Sequence, residues 1–339
     1  MQHIFFLHSN ICTIVAYETI KELIENREKV TIILNRGMKF PFFKGFVRLI
    51  DFQYITDEYR NSSRNILHKF LNYRFHYLPQ FDKKAKEIID NKDFVLYTPS
   101  YNQFTLRAFF KSSYLKGYYY LEEGTMAYIS DDILKRIYYS KLFFRGRLFS
   151  GLFGVKEHYD YKITSKFKGA ICLSSYAFPW LKKNKRLTTI DEYLLSLDEI
   201  PLKVDAIVVT GYLFEDVNKI YKGLDLIFNH ILSNGFKKRV AVKFHPTAYS
   251  YDKHKCEQIR HYIENKYFGF EIIFVTPSYS IEGSLYRYKT ELYSIFGMSS
   301  LCLYSLILGS SAFVTNLGTT ITLEEVHSVN DFLAKANNN

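Results

Sequence analysis

Three short polar groups stand directly after apolar runs in this 339-residue sequence and carry side chains able to do chemistry. Glu122-Glu123-Gly124 follows the run YYYL, His245-Pro246 follows RVAVKF, and Ser299-Ser300, preceded by Gly297, opens LCLYSLILG. A carboxylate at the end of a strand can serve as a general base, and Gly124 permits the tight turn that would aim it. A histidine placed where proline stops the strand can protonate, or hydrogen-bond to, an anionic leaving group. Serines at a helix start set hydroxyls beside free N–H groups and the positive end of the helix dipole, which together suit a phosphate. Each group also has a plain structural use, as an acidic turn, a strand-ending histidine or a helix cap. Order and placement, more than any single motif, point to chemistry.

The elements that must position these residues alternate between short apolar runs and amphipathic stretches. Ile4–Leu7 predicts a strand, Val15–Asn26 a helix and Val30–Leu34 a second strand, a βαβ opening. Phe94–Tyr97, Tyr118–Leu121 and Ala170–Leu173 read as further buried strands. In the second half the strands are expected at Ala206–Val209, Val240–Phe244, Ile272–Val275 and Ala312–Thr315, with helices at Val217–Leu232, Glu257–Tyr267 and Ser300–Leu308. Such alternation implies an α/β chain with parallel sheets covered on both faces. Between the halves, Pro179–Pro201 changes composition, KKNKR giving way to the acidic DEYLLSLDEI, and reads as a linker. The expected organisation is a Rossmann-like domain over 1–185, a second over 200–318, and a C-terminal helix over 319–339 packing back across the cleft between them. Ligands of such sheets bind beyond the carboxyl ends of the strands, where all three motifs fall.

Composition narrows the function classes. Hydrophobic residues make up 47% and charged residues 23%, enough apolar surface to offset chain entropy and too much for a disordered chain. No run of about eighteen apolar residues predicts a membrane-spanning helix, and the N-terminal MQHIFFLHSN does not read as a signal peptide. The cysteines (Cys12, Cys172, Cys256, Cys302) are scattered, without a CxxC pair, which suits a reducing compartment and a cytoplasmic chain. GxGxxG and GxxxxGK[ST] are absent, against dinucleotide cofactors and P-loop chemistry, and so is DxD. A net charge of +11 with 18% aromatic residues suits nucleic acid, anionic lipid or a phosphorylated small molecule equally well.

Taken together, the acidic-acidic-glycine, HP and SS motifs resemble those of bacterial sialyltransferases of the lipooligosaccharide and polysialic-acid kind. Ile281-Glu282 resembles the position of the glutamate that holds the ribose hydroxyls of the nucleotide in those enzymes. The resemblance spans roughly 118–310 by motif and the first hundred residues by fold pattern only. It implies a GT-B fold, with acceptor and general base on the N-terminal domain and a CMP-activated nonulosonic acid on the C-terminal one. Glu122 would take the proton of an acceptor hydroxyl, with Glu123 as fallback base, and His245 would assist the departing CMP phosphate. Ser299 and Ser300 would bind that phosphate, Glu282 the ribose, and Thr125 and Asn102 the sugar. The outcome would be inversion at the anomeric carbon. A single-phosphate donor asks for no metal ion and no cofactor, in keeping with the missing DxD.

Residues 135–156 hold six basic and six aromatic side chains and no acid, and KFPFFKGFVR at 39–48 is a shorter relative. Both suit either an anionic inner-membrane surface near a lipid-linked glycan acceptor or a core that buries the aromatics and solvates the charges. Rival readings are another GT-B transferase with a CMP- or CDP-activated donor (Kdo, pseudaminic acid, polyol phosphate) and a non-catalytic polyanion-binding protein. No RNP-like, KH or zinc pattern supports nucleic acid as the partner.

Overall fold

In the computed structural model the described residues are 1–35, 38–53, 55, 68, 71–100, 104–130, 133, 161, 163–197, 201–211, 215–235, 239–245, 252–276, 279–295 and 299–338. They form two compact units, Met1–Ser196 and Leu197–Asn339.

The first unit is built on a seven-stranded sheet. Its strands are β1 (Gln2–Leu7), β2 (Lys29–Leu34), β3 (Val47–Asp51), β4 (Phe94–Thr98), β5 (Leu115–Leu121), β6 (Phe167–Cys172) and β7 (Lys185–Leu187). All pairs are parallel, in the order β3-β2-β1-β4-β5-β6-β7. Parallel strands covered on both faces read as continuous apolar runs, which is why IFFL, VTIIL and FVLY are legible as strands. Helix α1 (Asn10–Glu25) starts where Ser9 accepts a hydrogen bond from the Cys12 amide at 3.2 Å, and it packs on β1, β2, β5 and β6. Helix α2 (Leu78–Ile89) opens on Pro79, whose missing N–H costs nothing in a first turn, and packs on α3 (Arg107–Lys111). Much of the aromatic content sits here. Phe5, Tyr97 and Tyr119 are register partners on β1, β4 and β5 and stack in a row, with centroids 4.0 and 5.2 Å apart.

This unit runs past the expected limit at residue 185. β7 pairs with β6, and α4 (Asp191–Leu195) packs on α1, burying Tyr193 edge-on to Tyr17 and Phe42. Within KFPFFKGFVR, Phe40 and Phe42 are buried in that same aromatic cluster, whereas Phe46 stands 71% exposed and Val47 begins edge strand β3. Residues 135–156 lie outside the described ones.

The second unit holds β8 (Ala206–Thr210), β9 (Arg239–Phe244), β10 (Glu271–Val275), β11 (Glu291–Ser294), β12 (Ala312–Leu317) and β13 (Ile321–Val326), ordered β10-β9-β8-β11-β12-β13. All are parallel except β13, which returns antiparallel to β12. Helix α5 (Val217–Ser233), capped by Asp216, presents Ile220, Leu224, Ile227, Phe228 and Ile231 at helical spacing. These bury against alternate residues of one sheet face, Ala206 and Val208 on β8 and Val240 and Val242 on β9. Each such side chain contributes about 1.5–3 kcal/mol on burial. Helix α6 (Lys253–Lys266), capped by Asp252, packs on α5; α7 (Glu282–Tyr288) and α8 (Ser300–Ile307) complete the cover. The 319–339 segment, expected to be helical throughout, begins instead as β13, whose alternating ITLEEV pairs along the open edge of β12. Only Val329–Asn338 (α9) is helical, and it packs on α8. No helix among the described residues is long and apolar enough to cross a membrane.

Candidate active site

Each sheet reverses its strand order once, beside β1 and β4 in the first unit and beside β8 and β11 in the second. At such switch points the loops on either side part, leaving a crevice at the carboxyl ends of the strands.

In the first unit that edge carries the acidic pair, and the two carboxylates have different surroundings. Glu122 is wholly buried. Its Oε1 accepts from the Tyr128 hydroxyl at 2.5 Å, and its Oε2 from the backbone amides of Leu173 and Ser174 at 2.8 and 3.3 Å. Burial and the adjoining Glu122 charge push the Tyr128 phenol far above its usual range, so its proton stays in place as a donor. Glu122 thereby ties the end of β5 to the chain leaving β6. Glu123 is 25% exposed at its side chain, and its Oε1 lies 2.7 Å from Nε2 of His8, an imidazole only 3% exposed. His8 directly follows β1 and precedes the Ser9 cap, so strand end and helix start fix it together. Gly124 has φ +59 with open space where a Cβ would be, and Thr125 starts the short 3-10 helix that delivers Tyr128. At the neighbouring end of β4, Thr98 folds its hydroxyl onto the Ser100 carbonyl at 2.8 Å. Asn102 lies outside the described residues.

In the second unit His245 follows β9, its amide donating to the Thr210 hydroxyl at the end of β8, 3.4 Å away. Pro246 and Gly297 lie outside the described residues. Ser299 caps α8, accepting from the Cys302 amide at 3.4 Å, and Ser300 is the first helical residue. Burial pushes the Cys302 thiol up, which keeps it neutral behind the cap. Glu282 opens α7, nearly buried, with Oε2 accepting from the Ser280 hydroxyl at 2.7 Å. Near it stands Lys243, a residue from inside the apolar run of β9. Its ammonium donates to the Tyr279 carbonyl, and burial lowers its pKa against the opposing pull of Glu282. Thr210, Lys243 and His245 thus share one rim of this sheet, with Ser299, Ser300 and Glu282 heading the helices beyond β11 and β10.

Sequence reasoning did not single out His8, Tyr128 or Lys243. The first had a signal of the same kind as the HP motif, a polar residue at the end of an apolar run before a capping serine. Among the described residues no group of three or more His, Cys, Asp or Glu side chains is placed to hold a metal ion.

Two solved structures set this architecture in context. A Listeria monocytogenes protein, provisionally assigned as a UDP-N-acetylglucosamine 2-epimerase, is similar with a TM-score of 0.53 at 12% identity, covering 99% of this chain and 86% of that one. The GT-B domain of a sialyltransferase from Photobacterium damselae is similar with a TM-score of 0.50 at 10% identity, covering 90% of this chain and 88% of that one. No family model matches the chain, and no curated protein matches it in sequence. At these identities the likeness is one of fold: the chain has the α/β architecture called GT-B.

Proposed function

We propose that the chain is an inverting glycosyltransferase that moves a nonulosonic acid from a CMP-activated donor to a hydroxyl of a glycan acceptor. The observation that carries this reading is placement. Every described residue of the three motifs sits at the carboxyl ends of its unit's parallel strands or at the helix starts that follow them, where a GT-B sheet meets its ligands.

Glu123 is the better-placed base. Its carboxylate reaches solvent while His8 holds it, whereas both oxygens of Glu122 are engaged inside the fold. As Glu123 takes the proton of the acceptor hydroxyl, that oxygen attacks the anomeric carbon from the face opposite CMP. The bond from the anomeric carbon to the phosphate oxygen breaks, and its electron pair leaves with CMP. His245 gives a proton or hydrogen bond to that oxygen, and the Ser299 and Ser300 hydroxyls with the free amides opening α8 take the phosphate charge. The Glu282 carboxylate suits the paired hydroxyls of a ribose. Glu122 keeps the acidic turn in shape and is the alternative base.

The direct test is nucleotide selectivity. CMP is expected to raise the melting temperature well above the shifts given by UMP, GMP or UDP, by the equivalent of about 2.7 kcal/mol at a hundredfold excess over Kd. Release of CMP from CMP-N-acetylneuraminic acid should accompany glycan product. Equal shifts from all the nucleotides would sink the CMP assignment, and a preference for UDP would move the chain towards the donor class named for its Listeria neighbour.

A further inference from the structure

At the amino ends of the first unit's strands, the opposite edge of the sheet from His8 and Glu123, lies a cavity of about 420 Å³ that the proposed reaction does not use. Its floor is one face of the sheet. Gln2 is the register partner of Lys29, Lys29 and Thr31 alternate onto the same face of β2, and Thr31 is the register partner of Arg48 on β3. That floor is polar where a Rossmann sheet is usually apolar. The Gln2 amide, mostly buried, donates to the Thr31 hydroxyl at 3.1 Å and to the Ile88 carbonyl at the end of α2 at 3.2 Å, while its Oε1 has no partner among the described residues. Phe46, exposed at the lip, supplies the one aromatic wall among the described residues.

The charged residues lining the cavity are Lys29, Arg48 and Lys92 against Asp90. The nearby carboxylates are each engaged: Glu28 with the N-terminal amino group, Asp90 with Lys92, and Asp93 with Lys116. Lys92 first, with smaller contributions from Arg48 and Lys29, holds the Asp90 carboxyl below the usual range, and Asp90 and Lys92 both line the cavity. Lys29 and Arg48 are left lining the cavity with no carboxylate at ion-pair distance among the described residues. Two cations over a hydroxyl and an amide, beside one aromatic face, suit a ligand with an anionic group on a hydroxylated ring.

We propose that this cavity is a second ligand site, which binds an acidic saccharide remote from the transfer site. The anion part stands on the geometry alone; the saccharide part rests on the glycan reading above. Phe46 packs on the C–H face of the ring, Arg48 and Lys29 take its carboxylate, and Thr31 and Gln2 meet its hydroxyls. A transferase that adds acidic sugars would in this way hold its own product class away from the chemistry.

The test is saturation-transfer NMR and titration of the full chain with N-acetylneuraminic acid as the probe, N-acetylmannosamine as its neutral counterpart, and inorganic phosphate. N-acetylneuraminic acid is expected to bind in the presence of saturating CMP, and N-acetylmannosamine to bind far more weakly. Lys29→Ala with Arg48→Ala, both exposed and without ion pairs among the described residues, should cost roughly tenfold in affinity at unchanged melting temperature. Phe46→Ala should weaken the saccharide and leave inorganic phosphate alone. No binding by the wild type, unchanged affinity in the double variant, equal binding of the neutral sugar, or displacement by CMP would each overturn the proposal. Should CMP fail to bind while the double variant still abolishes saccharide binding, the transferase reading falls and this site stands.

Discussion

His8 and Glu123, just beyond strands β1 and β5, meet across the carboxyl edge of one sheet with Nε2 and Oε1 2.7 Å apart, the imidazole buried and the Glu123 side chain partly exposed. β4 lies between those strands, so neither residue owes its place to sequence proximity. That contact holds the Glu123 carboxylate in one position at the rim of the sheet. Glu123→Gln should therefore cost roughly 100- to 10,000-fold in turnover with little change in melting temperature. His8→Gln should loosen that contact and lower turnover, by less than Glu123→Gln does. Unchanged turnover in His8→Gln would mean that the pair does not position the base.

Glu122→Gln should behave in the opposite way. A carboxamide offers one acceptor oxygen where the carboxylate offers two, and its NH₂ must face either the Leu173 and Ser174 amides or the Tyr128 hydroxyl. The variant is expected to lose about 1–3 kcal/mol of stability, read by denaturant unfolding, and to retain most of its turnover when folded. A stable and inactive Glu122→Gln would return the role of base to Glu122.

The fold was legible where strands are buried on both faces and obscure where they are not. IFFL, VTIIL, AIVVT and RVAVKF announce themselves as apolar runs. β3 and β7, with residues such as Arg48, Leu187 and Arg186 turned to solvent, and β11, only Glu291–Ser294 long, carry too little apolar signal. β13 hid behind the expectation of a final helix because its apolar face is partial. At the site, position was readable and orientation was not. Which of Glu122 and Glu123 turns inward depends on the Tyr128 hydroxyl and the amides after β6, partners that lie in space and not in the local pattern. Lys243 escaped notice because a lysine inside an apolar run looks like an interruption, until the fold sets Glu282 near it.

The leaving-group chemistry has its own check. A CMP-sugar carries one phosphate, which serine hydroxyls, helix amides and a histidine can neutralise between them. Turnover is expected to survive EDTA at full rate. A loss that magnesium or manganese restores would show that the departing group needs a cation.

Gly169 on β6 tests the first sheet. Its φ is +155, and a Cβ there would stand 2.4 Å from the carbonyl oxygen of Asn184, the atom that accepts from the Ala170 amide at 2.9 Å to begin the β6–β7 pairing. Backbone cannot step aside as a flexible side chain would. Gly169→Ala should lose about 1–3 kcal/mol, seen as a lowered melting temperature. Gly269→Ala, at a position with open space and no positive φ, is the matched control and should be close to neutral.

The second unit offers a pH test on Asp225 of α5, whose carboxylate accepts from Lys266 at 2.8 Å and from the hydroxyls of Tyr262 and Tyr267, all on or just after α6. Partial burial would raise its pKa, but the hydrogen bonds from Lys266 and the two tyrosines outweigh that and hold it below the usual aspartate range. The folded state therefore keeps Asp225 ionised where the unfolded chain would protonate it. Its stabilising contribution is fully present above the unfolded pKa near 4 and is lost as pH falls through the lower folded value. Across a melting series from about pH 6 down to about pH 2, the wild type should lose more stability than Asp225→Asn, so that the gap between them narrows with acid. A gap that stays constant over the series would show that the α5–α6 contact is held by its tyrosines and its apolar packing, with no part played by the charge.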